Sequence, residues 1–586
     1  STLIIVACFL PLFFLSGMEG RMLIPLGIAF IVALFASTVV ALTLTPVLCS
    51  YMLTTKKALK KNEKEPFVSR TLKVWYKKAL EWALRHKKVV IGTSAALLIF
   101  TIIIMTGLGR SFLPPFNEGS LTINISTMPG ISLEESDNMG RMAEKILLDI
   151  PEIQTVARKT GRAELDEHAL GVNVSEMEAP FELDERSRDE FLADVRQRLG
   201  ELKGVNIEIG QPISHRIDAM LSGTKANIAI KLFGNDLNKL YNIGGQIKEA
   251  IQGIDGIADL TLEQQIERPQ LQIKPKRDML AKYGIPLPEF SEFINVALSG
   301  KVVSQVYEGG KVFDLTVKVH DDDKANMEQI GNLMIDANGQ KVPLHYVAEI
   351  LPLVGPNTIS RENVQRKIVV SANVAGRDLN GVVKDIQKTV GEQITLPEGY
   401  HVEYGGQFES EQAASRTLFL TSVISILLIF LLLFNEFHSM PLSSIIMLNL
   451  PLAIIGGILS IWFTSGIISI PAIIGFISLF GIATRNGILL VSHYNHLRSE
   501  GMSLHDSVVL GSLDRLNPIL MTALTSALAL IPLAVGGDLP GNEIQSPMAQ
   551  VILGGLLSST LLNGFVVPIM YLLLNHKQKE IENLEM

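Results

Sequence analysis

Phe476-Ile477-Ser478-Leu479-Phe480-Gly481-Ile482-Ala483-Thr484-Arg485-Asn486-Gly487-Ile488-Leu489-Leu490 sets one guanidinium near the middle of an apolar stretch, 468–497. On insertion scales an Arg at that depth costs about 2.5–3.5 kcal/mol, so it faces a bundle interior and meets an anion rather than lipid. It cannot shed its proton to escape. Arg485 is the only charged residue in any of the long apolar spans, so no carboxylate within them can pair with it. The expected partner therefore lies outside this sequence. The stretch reads as half of a membrane energy-coupling site.

Working outward, the 586 residues are 47% hydrophobic, with a mean hydropathy of +0.31. The apolar residues gather in eight blocks of about the length that crosses a bilayer as helix: 2–16, 23–52, 89–108, 418–434, 441–464, 468–497, 518–535 and 547–574. The fold class expected is an α-helical polytopic membrane protein with eight transmembrane helices and a large α+β domain outside the membrane. The first block lacks a basic leader and a small-residue cleavage site, so it is not a signal peptide. Cys8 and Cys49 both fall in spans and offer neither a disulfide framework nor a Cys metal site.

Loop charge orients the chain. The segment 53–88 carries twelve Lys or Arg against three Glu, which makes it cytoplasmic. Counting spans from there puts 498–515 and the tail 576–586 on the same side, and 110–416 on the other. Within the basic segment, Leu72, Trp75, Ala79 and Trp82 share a helical stripe among lysines, the pattern of a helix lying in the membrane interface.

The organisation is a repeat. Laying Ser1 on Thr522 brings Pro11 over Pro532, and the Thr45-Pro46-Val47-Leu48 and Val567-Pro568-Ile569-Met570 ends also match. Residues 1–52 then read as the last two spans of a six-span unit, and 89–109, 110–416 and 417–575 as one complete unit. Four further spans and a first outside domain are expected before Ser1. The outside domain alternates strands and helices in β-α-β units. This suggests two ferredoxin-like subdomains, the second interrupted at about 300–360 by a strand-rich insert with hairpin turns at Gly309-Gly310 and Asn338-Gly339.

Several motifs then converge. Phe9-Leu10-Pro11-Leu12-Phe13-Phe14-Leu15-Ser16-Gly17, the Gly481–Leu490 motif (481–490) and Arg515-Leu516-Asn517-Pro518-Ile519-Leu520-Met521-Thr522 resemble spans of the resistance-nodulation-division (RND) exporters. Phe112-Leu113-Pro114-Pro115-Phe116-Asn117-Glu118-Gly119 and Met128-Pro129-Gly130 are similar to the heavy-metal-efflux branch, the CusA/CzcA-type pumps. The resemblance implies twelve spans in the full-length chain and a homotrimer in the bacterial inner membrane. It also implies a periplasmic adaptor and an outer-membrane channel as partners, with no nucleic acid. It implies a proton relay as well. Arg485 stands where related drug pumps have a Lys facing fourth-span acids, and Thr522 and Arg515 match the eleventh-span members. An Arg there can switch partners when a carboxylate protonates, but it cannot carry the proton itself.

Substrate choice belongs to the outside domain. Copper and silver pumps of this branch use a Met triad, and the matching positions hold Asn124, Val174 and Ala219. Nearby stand His168, Glu176 and Asp218, harder donors that favour Zn, Co or Ni over Cu or Ag as transported metal. Met177 and Met220 read as packing residues, and His215 as a loop residue. The set proposed for metal is His168, Glu176, Asp218 and Asn124, with no permanently bound cofactor. The alternatives are export of organic compounds, which aromatics at 6% of the chain disfavour, and a lipid-handling or non-transport relative. No phosphate loop, nucleophile elbow or HExxH motif supports an enzyme.

Overall fold

The computed structural model describes residues 2–52, 66–114, 116–161, 171–183, 186–264, 267–356, 358–537 and 539–585. Two compact units emerge, one formed by Ser1–Thr127, Ile131–Glu263 and Arg361–Met586, the other by Met128–Gly130 and Gln264–Ser360.

The first unit opens with α1 (Thr2–Phe9), which gives way to a 3-10 turn, Leu10–Phe14, with Pro11 at its start. Proline lacks the N–H that would continue the α-helix, so this apolar helix stays short. Next come α2 (Gly17–Leu42), α3 (Leu44–Met52), α4 (Phe67–Arg85) and α5 (Lys87–Gly107). Helix α4 packs through Leu80, Ala83 and Leu84 and donates from Tyr76 Oη to the Gly564 carbonyl at 2.6 Å. Trp75 and Trp82 on its other side stay exposed.

Two sheets that share a four-strand order follow, the second with a short extra edge strand at Arg361–Glu362. The first is built from β1 (Ser120–Ser126), α6 (Leu133–Leu148), β2 (Ala157–Thr160), β3 (Val174–Pro180), α7 (Arg188–Leu199) and β4 (Asn206–Gly210), with strand order β2-β3-β1-β4, all antiparallel. Its helices start where Ser132 and Ser187 accept backbone hydrogen bonds from Glu135 and Glu190, three residues on. A linking helix, α8 (Pro212–Ser222), leads to the second sheet: β5 (Ile228–Phe233), α9 (Leu237–Ile251), β6 (Ile257–Leu262), β7 (Gln365–Val374), α10 (Leu379–Gln393) and β8 (His401–Gly406). Here β7 lies between β6 and β5, and β8 pairs with β5, which repeats the first order. Both are ferredoxin-like. Each sheet packs one face on its two helices, with Ile123, Met177, Phe191 and Val195 filling one core and Ile230, Ile247, Val370 and Ile386 the other.

The chain then enters the membrane set α11 (Gln407–Phe437), α12 (Met440–Met447), α13 (Asn449–Phe463), α14 (Ile470–Ser499), α15 (Leu504–Val535) and α16 (Gln545–Glu585). Seven helices among the described residues are long and apolar enough to cross a membrane, with α12 and α13 forming one span; the eighth expected span is the shorter Thr2–Phe14. Helices α13 and α16 meet backbone to backbone: a Cβ on Gly456 would fall 2.0 Å from the Gly554 carbonyl oxygen, and one on Gly554 would fall 2.4 Å from that of Gly456. Small residues permit this approach where the lipid offers no hydrophobic drive.

The second unit pairs strand Glu267–Pro275 with strand Ala348–Pro356, antiparallel, around a core of Leu280, Phe290, Leu344 and Val347. Residues 271–275 belong here because their partner strand is 348–356, and the insert begins at Gln264 rather than near 300. Both expected hairpins are present, with Gly309 and Gly310 at φ 54° and 77° and Asn338 and Gly339 at 54° and 89°.

Candidate functional site

Strand alternation builds the first site. On the first sheet, residues that alternate with the core-facing Ile123, Met177 and Ile209 point to the opposite face. Register then sets Lys159, Glu176, Asn124 and Glu208 in one row across β2, β3, β1 and β4. Lys225, just beyond α8, reaches into this row. Its Nζ donates to Asn124 Oδ1 at 2.9 Å and to Glu176 Oε2 at 2.6 Å, while Lys159 Nζ lies 2.6 Å from Glu176 Oε1. Burial opposes ionisation of Glu176, but the two ammonium groups overcome it and draw its pKa down to about 2. Burial pushes the Glu208 carboxyl the other way, upward, against a hydrogen bond from Thr261 at 3.2 Å and the charge of Lys225.

Helix α8 carries the next groups. Its start is held by Glu118, whose carboxylate accepts from Ile213 N at 2.7 Å and Ser214 N at 3.2 Å, a favourable charge at a helix N-terminus. His215 is buried, with Nδ1 3.4 Å from Asn124 Nδ2 and Nε2 without a partner among the described residues. Room for the ring comes from Gly210, where a Cβ would lie 2.0 Å from Nε2. Burial, then the nearby Lys225, push the His215 pKa down to about 4 against the pull of Glu176, so the ring is neutral near pH 7. Asp218, one turn on, accepts from Gln407 Nε2 at 2.7 Å and Asn227 Nδ2 at 3.1 Å. Burial nonetheless raises its pKa to about 6. His215 and Asp218 line a cavity of about 910 Å³, together with Ser111, Asn227, Asn373 and Gln407.

Not all the residues proposed from sequence share this setting. His168 lies outside the described residues. Glu176 and Asn124 share Lys225, Asp218 has a separate set of amide partners, and no group of three or more His, Cys, Asp or Glu among the described residues is arranged to hold a metal. Val174 sits at the end of β3, Ala219 on α8, Met177 in the core and Met220 on the surface. Sequence reading overlooked Lys225, Gln407 and Asn227, whose approach depends on tertiary contacts. Glu208, by contrast, stands at the period-two position of its strand and was readable. His215 belongs to a helix rather than a loop.

The second site is in the membrane. Ser469 caps α14, accepting from Ala472 N at 3.4 Å, with Pro471 in the first turn. Half-buried in this helix, Arg485 has no hydrogen-bond or ion-pair partner among the described residues. Thr522 Oγ1 donates to the Pro518 carbonyl on its own helix at 2.8 Å, and Arg515 Nε is buried without a partner among the described residues. Thus Arg485 is on α14, with Thr522 and Arg515 on the adjoining α15, and no hydrogen bond joins the three.

Comparison with known proteins gives one consistent answer. Residues 1–575 match the model of a family described as AcrB/AcrD/AcrF. The chain is 33% identical over 594 residues to the cobalt-zinc-cadmium resistance protein CzcA of Cupriavidus metallidurans, covering 99% of this chain and 55% of that protein. It is 30% identical over 578 residues to the nickel and cobalt resistance protein CnrA of the same organism (97% and 53% covered), and 27% identical over 593 residues to the cation efflux system protein CusA of Escherichia coli (98% and 56% covered). A crystal structure of a heavy metal efflux pump superposes with a TM-score of 0.80 at 28% identity, covering 98% of this chain and 58% of that one. The chain spans a little over half the length of the curated relatives it matches.

Proposed function

We propose that this chain, which belongs to the AcrB/AcrD/AcrF family, works as part of a proton-driven exporter of divalent heavy-metal cations in the bacterial inner membrane. The family is one of multi-pass transporters, not enzymes, and of tripartite complexes. A homotrimer joined to a periplasmic adaptor and an outer-membrane channel is the assembly this reading carries.

The observation that carries the metal class is the lining of the 910 Å³ cavity. It contains His215, three aspartates (Asp189, Asp218 and Asp378) and side-chain amides beside Arg188, Arg196 and Arg377, with no Met or Cys and Phe116 as its one Phe, Tyr or Trp. Imidazole, carboxylate and carbonyl oxygen suit Zn, Co or Ni, whereas Cu(I) and Ag(I) want sulfur. A wide pocket for organic compounds would want aromatic walls. Neutral His215 offers a ring nitrogen with no partner among the described residues, one helical turn from the Asp218 carboxylate, a weak pair of donors fit for a cation that must leave again. In this reading Lys225 is the resident cation of the neighbouring Glu176–Asn124 pair, and a passing metal reaches those oxygens when the lysine withdraws. His168 remains a candidate further ligand.

Arg485 supplies the energy link. An acid from elsewhere in the protein pairs with it when ionised and releases it when protonated, and Thr522 and Arg515 sit on the neighbouring helix to complete the path. The deciding test is metal-sensitivity profiling of a strain lacking the full-length gene, complemented with wild type or with Asp218→Asn plus His215→Ala. Loss of Zn, Co or Ni resistance at unchanged membrane levels supports the reading. Protection only against dyes and detergents would replace it with organic export.

A further inference from the structure

We propose that Asn449, Asn486 and Asn563 form an internal water-binding site between α13, α14 and α16, on the side of α14 turned away from Arg485. The three side chains are 0%, 2% and 2% exposed. Asn449 Oδ1, Asn486 Nδ2 and both amide atoms of Asn563 have no partner among the described residues. The remaining Asn449 nitrogen donates only to the Ala483 carbonyl, at 3.4 Å.

Helix register brings them together. Gly475 packs on Val551, Leu479 on Gly555, and Tyr571 Oη donates to Asn495 Oδ1 at 2.6 Å, so α14 and α16 run parallel with constant offset along their length. The same offset sets Asn563 opposite Gly487. From the third helix, Asn449 Nδ2 also lies over Gly487, 2.0 Å from where a Cβ would stand. Asn449 thus meets this glycine directly, Asn486 is its neighbour in sequence, and Asn563 stands at the matching level of α16. Arg485, two residues after the inward-facing Ala483, points roughly 160° away from this seam. The cluster is a separate site from the relay.

The chemistry of the open valences names the occupant. Both donors and acceptors are unmet, which a single water can answer, since buried waters make about three hydrogen bonds. A metal or alkali cation is the wrong guest. No carboxylate lies in the membrane-spanning part of any of the three helices to balance it, and their one charge is the cation Arg485. Buried amides left bare within a bilayer are costly, so the water joins α14 to both neighbours at the depth of Arg485.

The test uses the full-length protein in lipid nanodiscs. A map that resolves ordered water is expected to show density within hydrogen-bond distance of at least two of the three amides. In parallel, Asn449→Leu and Asn563→Leu are each expected to lower the melting temperature by roughly 2–6 °C, and the double variant to fall no further than the worse single one, because it removes groups that share one guest. Additive losses overturn the shared site, and amides that bond one another directly with no density between them overturn the water. The map of the unsubstituted protein decides the latter even if the leucine variants fail to insert.

Discussion

Lys225 and Glu176 are joined at 2.6 Å across the face of the first ferredoxin-like sheet, so a lysine ammonium already occupies the ground on which a cation would bind. Replacing Lys225 with Gln keeps a hydrogen-bond donor and removes the charge. Divalent-metal affinity of the extramembrane region is expected to rise about tenfold, with the pKa of Glu176 moving up from about 2. Export is expected to slow, because the bound metal is no longer displaced. Calorimetric titration with Zn and a resistance assay on the same variant check both halves.

Glu176 also makes a pH prediction. Its folded pKa is depressed, so the stabilisation from Lys159 and Lys225 is fully present above the unfolded carboxyl value, about 4.3, and is lost as pH falls towards about 2. Glu176→Gln should therefore lower the melting temperature most at pH 7 and progressively less as pH falls towards about 2.

Asp218 runs the opposite way. Its folded pKa is raised to about 6, so its contribution is most favourable below about 3.9 and is lost as pH rises through 6. Asp218→Asn is expected to stabilise the protein at pH 8 and to be neutral at pH 3.5. A melting series across that range reads the sign directly.

Gly210→Ala puts a methyl group 2.0 Å from His215 Nε2. The ring must leave its slot, at a cost of about 1–3 kcal/mol in overpacking. Metal resistance should fall as it does in His215→Ala, which strain growth on graded Zn or Co would measure.

Arg485→Ala in the full-length protein should abolish export while leaving insertion intact, because the proposed relay loses the cation that its acid would pair with. Arg485→Lys keeps a cation at that depth and should retain partial export. Full transport by the alanine variant would end the relay proposal.

Much of this architecture is legible in the sequence. Hydropathy marks the spans well because a bilayer imposes one length and one polarity. The strand–helix alternation likewise marks both ferredoxin-like sheets. What failed to show was whatever depends on long-range partners. The strand at 267–275 is paired with one some eighty residues later, and local pattern cannot distinguish that sheet from its neighbour. His215 reads as a loop residue because its burial is decided by Gly210, on a strand before the helix. Lys225 gave no sign at all, since a single lysine after a turn reads as surface until its reach is known.

The contact between Gly456 and Gly554 has a consequence for how such a protein can vary over time. Each glycine faces the other's main chain, so any larger residue at one position is refused whatever stands at the other. No compensating change of side chain can rescue it, because there is no side chain to trim. The surrounding leucines and isoleucines can be exchanged among themselves, one lineage to the next, at small cost. This pair cannot drift, and a saturation survey of the gene should find both codons nearly frozen amid a tolerant seam.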